Sequence, residues 1–386
     1  MESPLNPECR ILNPDSLSIQ QLTLFNFRNY GDLRLNLTPA PIVLTGPNGA
    51  GKTNILEAVS LLVPGRGLCS APPAEWQNKR ASAPWAVAAY LDTLHGETMI
   101  GTGRDPMDPT NDRRIVHIDG REIRSQQKLA EHVVMAWITP DIDRVLVEGP
   151  SARRSLIDRM AFSFDPSHRG RVSRYEKAMR ERLRLLKDGI HDKSWLSALE
   201  DEMASSGVAI AAARLELINR LCSAVAETRS EFPRAALAIS GFAEDKLKES
   251  PALLVEDVLR EALATARAED AARGISTIGP HRSDLEVTHA TRHCPAHLCS
   301  TGEQKALLVA IMLAYVRLIA QVRERKPLFL LDDITAHLDT RRRHALFEEI
   351  AALEIQAWMT GTDKSFFEGL PTNTQYFSVD DAVVRG

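Results

Sequence analysis

The chain has 386 residues, of which 44% are hydrophobic and 25% are charged, which is typical of a soluble globular protein with two or three structural units. The longest unbroken apolar run has only eleven residues, too few to cross a membrane, and five scattered cysteines do not resemble a disulfide framework. The first residues, MESPLNPECR, lack the apolar stretch of a signal peptide, so we expect a cytoplasmic protein.

The net charge of −4 is unevenly distributed. Residues 151–190 hold eleven Lys or Arg against five Asp or Glu, so this segment carries +6 and the remainder −10. A basic segment on an acidic protein predicts a local contact with a polyanion.

Along the chain, strand patterns come first. Residues 18–27 and 33–37 alternate between polar and apolar types, and an apolar stretch at 41–45 ends in a glycine turn followed by a helical pattern at 54–62. Further strands are expected at 85–91, 115–118 and 133–138. From about residue 151 to residue 273 the periodicity is mainly helical, and a continuous apolar strand returns at 327–331. We therefore predict an α/β domain in two parts, 1–145 and 274–386, with an inserted helical lobe at 146–273.

Residues 46–53 read GPNGAGKT and satisfy the phosphate-binding pattern G-x-x-x-x-G-K-[ST] between a strand and a helix. Backbone N–H groups of such a loop surround phosphates, because glycines remove Cβ clashes. Lys52 is expected to contact the β- and γ-phosphates of ATP, and Thr53 to bind Mg²⁺. The alternative, a glycine turn without a nucleotide, is disfavoured by the strand-loop-helix context. The predicted nucleotide-binding residues are Gly46, Pro47, Asn48, Gly49, Ala50, Gly51, Lys52 and Thr53.

The apolar stretch Leu328–Leu331 is followed by two acidic residues, which is the Walker B pattern. Asp332 is the candidate Mg²⁺ ligand, and Asp333 is the candidate base that positions or deprotonates the attacking water. A surface turn after a buried strand is the alternative, and the complete P-loop makes it the weaker one.

A third motif lies 30 positions before Asp332. Ser300, Thr301, Gly302 and Glu303 precede an apolar helix and resemble the signature motif of ABC-type ATPases. That resemblance implies a second phosphate-binding surface that faces the nucleotide of another subunit. A capping box formed by Ser300 and Glu303 is a compatible interpretation.

Ser300 lies 247 positions after Thr53, and an insertion this long between the two motifs resembles the chromosome-maintenance branch of these ATPases. The size of the insertion is similar to that of the RecF family. The matching segments are 24–30 (LFNFRNY), 64–68 (PGRGL), 139–141, 148–159, 279–285 (GPHRSDL) and 331–339. The resemblance covers nearly the whole chain. It implies an ABC-type P-loop ATPase head of the α/β class with an inserted, mainly helical lobe.

The resemblance also implies that Arg28 and Asn29 approach the nucleotide and that Asp339 belongs to the D-loop. The sequence departs from the expected patterns at Ser283, where an acidic residue is expected, and it lacks the Gln and His of the transporter Q-loop and H-loop. Thr360, Thr362 and Asp363 are the open candidates for the switch role of the missing His.

A row of cations recurs at three- and four-residue steps in the basic segment, so these residues share one helix face. Contact with the DNA backbone and a merely solvated face are the two interpretations, and the resemblance favours sequence-independent DNA contact. The candidate DNA-binding residues are Arg171, Arg174, Lys177, Arg180, Arg184 and Lys187, with Arg182 beside them.

Together with these features, the resemblance implies a weak, DNA-stimulated ATPase of recombinational repair and replication-fork maintenance, in which two subunits enclose ATP and close on DNA. The resemblance implies RecR as a partner, with RecO and RecA acting downstream. A transporter ATPase subunit, a structural chromosome-organising head and a nuclease fusion are the rival interpretations. Two Cys and two His within residues 293–299 are packed more tightly than the usual zinc pairs, so we expect no zinc there.

Overall fold

A computed structural model describes residues 17–69, 71–93, 96–107, 113–140, 142–190, 192–227, 231–323, 326–334 and 338–386. Asp141 and His337, which belong to two of the matched family segments, lie outside the described residues.

The N-terminal part of the head is built mostly of strands. Its elements are β1 (Ser18–Phe27), β2 (Tyr30–Asn36), β3 (Ile42–Thr45), α1 (Lys52–Ser60), β4 (Ala86–Thr93), β5 (Gly96–Arg104), β6 (Arg114–Ile118), β7 (Arg121–Glu122) and β8 (Met135–Ile138). Strands β2, β1, β4, β5, β6 and β7 form, in this spatial order, an antiparallel sheet.

The following segment is mainly helical, as the change in periodicity indicates. It contains α2 (Pro150–Phe162), α3 (His168–Lys187), α4 (Lys193–Glu227), β9 (Ala235–Ser240), α5 (Phe242–Leu247), α6 (Ala252–Thr265) and α7 (Arg267–Arg273). The C-terminal part then adds β10 (Asp284–His289), β11 (Cys294–Pro295), α8 (Thr301–Arg323), β12 (Leu328–Leu331), α9 (Thr340–Leu353), β13 (Ala357–Gly361), β14 (Gln375–Asp380) and β15 (Val383–Arg385). Strand β10 pairs with both β9 and β11 in a small antiparallel sheet.

A second large sheet determines where the functional motifs meet. Its order is β15-β14-β3-β13-β12-β8, and all of its strands except β15 are parallel. Parallel strands end at one edge, where open α/β sheets bind their ligands. The P-loop follows β3 and the Walker B aspartates follow β12, so both lie at this edge, on either side of the end of β13.

Both faces of this sheet are covered, which explains why its strands read as continuous apolar runs. Leu328 and Leu330 pack on the side of the antiparallel sheet and α1, whereas Phe329 and Leu331 pack on the side of α8 and α9. Helix α8 is long and apolar enough to cross a membrane, the one such helix among the described residues, but most of it is buried in this core.

A buried ion cluster joins three helices of the lobe. Arg182 of α3 is fully buried and donates to Glu200 of α4 at 2.9 Å and to Asp270 of α7 at 2.6 Å. Its remaining nitrogen donates to the carbonyl oxygen of Leu263 at 2.6 Å. The expectation that Arg182 lies beside the exposed basic row is therefore wrong, because its side chain points into the lobe between two carboxylates.

Arg182→Ala should lower the free energy of unfolding by about 3–5 kcal/mol, because the substitution leaves the buried Asp270 without its cation and removes one of the two arginines that pair with the buried Glu200. Urea denaturation measures this change. Arg180→Ala is the matched control on the same helix, where the side chain is exposed, and should cost about 1 kcal/mol or less. Equal losses in the two variants would contradict a structural role for the cluster.

Candidate nucleotide site

Two glycines of the P-loop have positive φ and leave no room for a side chain. Gly46 has φ 153°, and a Cβ there would lie 1.9 Å from the carbonyl oxygen of Val379 in β14. Gly51 has φ 116°, and its Cβ would lie 2.6 Å from Nδ2 of the Asn29 side chain. A side chain at Gly46 would therefore push the loop away from β14, and one at Gly51 would displace Asn29 and strain the backbone.

The residues expected to bind phosphate and metal converge at this edge. Lys52 is buried, and its Nζ donates to the carbonyl oxygens of Gly46 and Pro47 at 2.8 and 2.9 Å, which holds the ammonium over the loop. The Thr53 hydroxyl lies 3.1 Å from both carboxylate oxygens of Asp332. A hydroxyl and a carboxylate brought together in this way are the hard oxygen donors that Mg²⁺ prefers, so Thr53 and Asp332 fit the metal.

Thr360, at the end of β13, connects the two Walker B aspartates. Its buried hydroxyl donates to Oδ1 of Asp332 at 2.6 Å and accepts from the backbone N–H of Asp333 at 2.9 Å. Burial raises the pKa of Asp332, and the hydrogen bond from Thr360 opposes that rise. Asp333 has φ 49°, a left-handed conformation that few non-glycine residues adopt, and the bond to Thr360 stabilises it.

The other two switch candidates lie away from the aspartates. Thr362 and Asp363 are exposed, and the Asp363 carboxylate accepts from the backbone N–H of Ser365 at 2.7 Å. Of the three open candidates, Thr360 is the one whose side chain contacts the Walker B residues.

Asn29 and Arg28 lie in the turn between β1 and β2, and they make different contacts. Asn29 donates to the carbonyl oxygen of Ala50 at 3.2 Å and accepts from Asn54 at 2.7 Å, so it braces the P-loop and α1. Arg28 forms a two-pronged ion pair with Glu57 of α1, with contacts of 2.6 and 3.0 Å. The sequence patterns did not indicate this pairing.

The signature residues Ser300, Thr301 and Gly302 are exposed at the start of α8. The Glu303 carboxylate accepts from the backbone N–H of Ser300 at 3.2 Å, which is one of the two bonds of a capping box, and it also pairs with Arg292. Within the described part of the chain, no hydrogen bond or ion pair connects these residues with the P-loop.

The D-loop residue Asp339 lies beside the signature. Its carboxylate caps α9 by accepting from the backbone N–H of Arg342 at 2.8 Å. The guanidinium of Arg342 donates to the carbonyl oxygen of Gly302 at 3.3 Å. Arg342 thus fixes the position of the signature turn relative to the D-loop.

The candidate DNA-binding residues lie on α3, and the helix exposes Arg174, Lys177, Arg180, Arg184 and Lys187. Three of them are near carboxylates: Arg174 lies 3.2 Å from Glu202, Arg180 lies 3.6 Å from Glu176 and Arg184 lies 3.5 Å from Asp188. Arg171 is half-buried and pairs with Asp165. Among the described residues, Lys177 and Lys187 have no carboxylate at ion-pair distance.

Comparison with known proteins gives consistent matches over nearly the whole chain. A model of the AAA domain matches residues 21–71. The DNA replication and repair protein RecF of Mesorhizobium japonicum is 46% identical over 375 residues, which cover 96% of this chain and 98% of that protein. The RecF of Rhizobium rhizogenes is 44% identical over 368 residues, or 95% of this chain and 98% of that protein.

The chain belongs to the RecF family.

Solved structures agree with the expected fold. A structure of the recombination mediator protein RecF-ATPrS in the RecFOR pathway has a TM-score of 0.83 at 22% identity, covering 96% of this chain and 98% of that one. An Smc head domain from Pyrococcus furiosus has a TM-score of 0.55 at 17% identity, covering 96% and 95% of the two chains. These matches confirm the predicted ABC-type α/β head with its helical insertion, the architecture shared by RecF proteins and Smc heads.

Thr360→Val should lower the rate of Mg²⁺-dependent ATP hydrolysis about 10- to 100-fold, because a hydrogen bond to a charged group contributes about 1.5–3 kcal/mol. Steady-state phosphate release measures the rate. Thr360→Ser keeps the hydroxyl and should stay within about threefold of the original rate. A full rate in Thr360→Val, or an equal loss in both variants, would show that the hydroxyl does not organise the aspartates.

Proposed function

We propose that this protein is an ATPase of recombinational repair and replication-fork maintenance that closes as a dimer on DNA when it binds ATP and releases DNA after hydrolysis. The observation that carries the proposal is the exposed signature turn at Ser300, which is hydrogen-bonded to Arg342 beside the D-loop but, among the described residues, has no hydrogen bond or ion pair with the P-loop. In an ATP site that is completed by a second subunit, the signature turn of one chain binds the nucleotide held by the other chain. The names of the curated relatives support the role in DNA repair.

The geometry of the site supports the following proposed roles. Lys52 and the N–H groups of the P-loop bind and orient the phosphates, aided by the N-terminus of α1. Bound to Thr53 and Asp332, Mg²⁺ would neutralise phosphate charge. Asp333 positions the attacking water and accepts its proton, and Thr360 keeps Asp333 in place. Ser300, Thr301 and Gly302 contribute donors to the nucleotide held by the partner subunit.

Hydrolysis then acts as a switch. Because ATP binds in the contact between subunits, it stabilises the dimer by its differential affinity for the closed state. Loss of the γ-phosphate removes the contact with the signature, and the dimer opens. We propose slow, DNA-stimulated turnover in the cytoplasm, with RecR as the direct partner and RecO and RecA acting later at single-strand gaps.

Mixing two inactive variants tests the shared site. Lys52→Ala removes the phosphate-binding ammonium, and Ser300→Arg blocks the signature turn; each protein alone should hydrolyse almost no ATP. In a heterodimer one site combines both defects, while the other pairs an intact P-loop with an intact signature. An equimolar mixture should therefore recover about a quarter of the wild-type rate, since about half of the dimers are mixed and each has one intact site of two.

The measurement is the rate of ATP hydrolysis at fixed total protein. No recovery in the mixture, together with a wild-type rate that rises linearly with protein concentration, would mean that each chain hydrolyses ATP by itself. A mixture of Lys52→Ala with Asp333→Asn is the matched control, because both defects lie in the same half-site. This control should recover nothing.

The salt dependence of DNA binding tests the role of α3. If the basic face neutralises about five phosphates, the logarithm of the binding constant should fall with the logarithm of salt concentration with a slope near −4.5. Removing Lys177 and Lys187 together as alanines should make this slope less steep by about 1.8, since each phosphate contact contributes about 0.9. Fluorescence anisotropy with ATP and duplex DNA gives the slope.

Lys248→Ala is the control for that experiment, because Lys248 is an exposed lysine of the same lobe that pairs with Asp245 at 2.8 Å. Its slope should match that of the unmodified protein. If the double variant also keeps the original slope, then α3 does not contact the DNA backbone.

A further inference from the structure

A cavity of 280 Å³ lies between the ATPase head and the helical lobe, away from the P-loop. Its walls come from the loop 63–67 that follows α1, from β8, from α2 and the start of α3, and from the end of α8. Apolar side chains such as Val133, Met135 and Phe162 form much of the surface. The proposed ATPase cycle assigns no role to this space.

Positive charge dominates the polar part of the cavity. Arg66, Arg159, Arg169 and Arg323 line it, and within the described part of the chain none of these four arginines lies at ion-pair distance from a carboxylate. The carboxylate of Asp158 also lines the cavity, but it is already paired with other side chains. Its two oxygens accept from Arg214 at 2.8 and 2.7 Å, and one of them also contacts His168 at 2.8 Å.

Arg159 is the cation of the four that packs over an aromatic ring. Its Cζ lies 4.5 Å from the centre of the Trp137 ring, and its buried Nη2 has no hydrogen-bond partner among the described residues. Burial lowers the pKa of this guanidinium to about 10, so it still carries its charge at neutral pH. A buried charge without a counter-ion destabilises a fold, and such a cost is typical of groups kept for a ligand.

We propose that this cavity binds a phosphate group, as the free ion or on a small organic molecule, with Arg159, whose Nη2 is buried, as its anchor. Phosphate suits the site because its two negative charges and several oxygens can engage more than one guanidinium, which a single carboxylate does less well. The apolar walls beside the arginines fit a compact organic body attached to the phosphate. Inorganic phosphate and a nucleoside monophosphate share this chemistry.

The position of the cavity links its ligand to the nucleotide site. The loop at 63–67 directly continues α1, whose N-terminus forms the P-loop. Arg114 donates to the carbonyl oxygens of Leu61, at the end of α1, and of Gly65 in this loop, and Gln126 accepts from the N–H of Gly65 at 3.2 Å. A phosphate held between this loop and α2 would therefore join the head and the lobe.

The test uses the full chain with Lys52→Ala, so that phosphate does not bind appreciably to the P-loop. The melting temperature Tm is measured by scanning fluorimetry with inorganic phosphate, with adenosine monophosphate, or with chloride at equal ionic strength. Either phosphate should raise Tm in a saturable way. Adding Arg159→Met should weaken the apparent affinity at least about tenfold, because the buried anchor is lost.

A second measurement distinguishes the loss of ligand binding from a general loss of stability. Without phosphate, Arg159→Met should raise Tm by about 2 °C, because it removes an uncompensated buried charge. Arg273→Met is the matched control, since Arg273 is an exposed lobe arginine paired with Glu269 at 3.1 Å, and it should change neither Tm nor the phosphate response.

Each outcome decides the proposal. Saturable stabilisation by inorganic phosphate alone assigns the site to the free ion, and tighter binding of the monophosphate assigns it to a nucleoside phosphate. The proposal is overturned if neither compound stabilises the Lys52→Ala protein, or if Arg159→Met responds as strongly as the Arg273→Met control. Because the P-loop is disabled throughout, failure here leaves the ATPase proposal untouched.

Discussion

The hydrogen bonds around Thr360 hold together the edge of the parallel sheet where the P-loop and the Walker B aspartates meet. The Thr53 hydroxyl and the Thr360 hydroxyl both donate to Asp332, and Thr360 in turn accepts from the N–H of Asp333. These residues come from three neighbouring parallel strands: Thr53 follows β3, the two aspartates follow β12, and Thr360 lies near the end of β13. Since the network crosses all three, a shift of any strand by one residue would break it, and the buried Asp332 would lose partners that offset its desolvation.

The local motifs could be predicted from the sequence because their chemistry is contained in a few consecutive residues. The P-loop needs glycines where backbone approaches backbone, and the Walker B strand needs apolar residues on both faces of a covered sheet. Ser300 and Glu303 are close enough in the chain for a capping contact to be expected. The strand and helix patterns predict an α/β domain split by a helical lobe, and the resemblance to ABC-type ATPases identifies that domain as an ABC-type head.

The features that sequence reasoning missed or left open depend on long-range partners. Thr360 lies 27 positions from Asp333, and its role appears only when β13 is inserted between β3 and β12. Arg28 was expected near the nucleotide, but nothing local indicates that Glu57, 29 positions away, pairs with its side chain. Arg182 shares the spacing of its neighbours on α3, and only the packing of α4 and α7 shows that it is buried.

The surroundings of Ser283 explain why a serine, and not the expected acidic residue, occupies this position. Its buried hydroxyl donates to the carboxylate of Glu244 in α5 at 2.6 Å, and the guanidinium of Arg214 lies 3.7 Å from the same carboxylate. Burial raises the pKa of Glu244. An acidic residue at position 283 would place a second carboxylate against the first, which would be strongly unfavourable in a buried site. Here Glu244 supplies the negative charge, and serine is the residue that fits beside it.

The segment 279–285 also connects the basic helix to the signature. Tyr175 of α3 contacts His281 at 2.6 Å, and Arg153 of α2 holds Asp284 at the start of β10 with contacts of 2.7 and 2.8 Å. From Asp284 the chain runs through β10 and β11 to Ser300. The proposed DNA face and the proposed dimer contact are therefore connected through one buried side chain, Tyr175, and three half-buried ones, His281, Arg153 and Asp284. If the closed dimer binds DNA more tightly by some factor, DNA must favour closure of the dimer by the same factor.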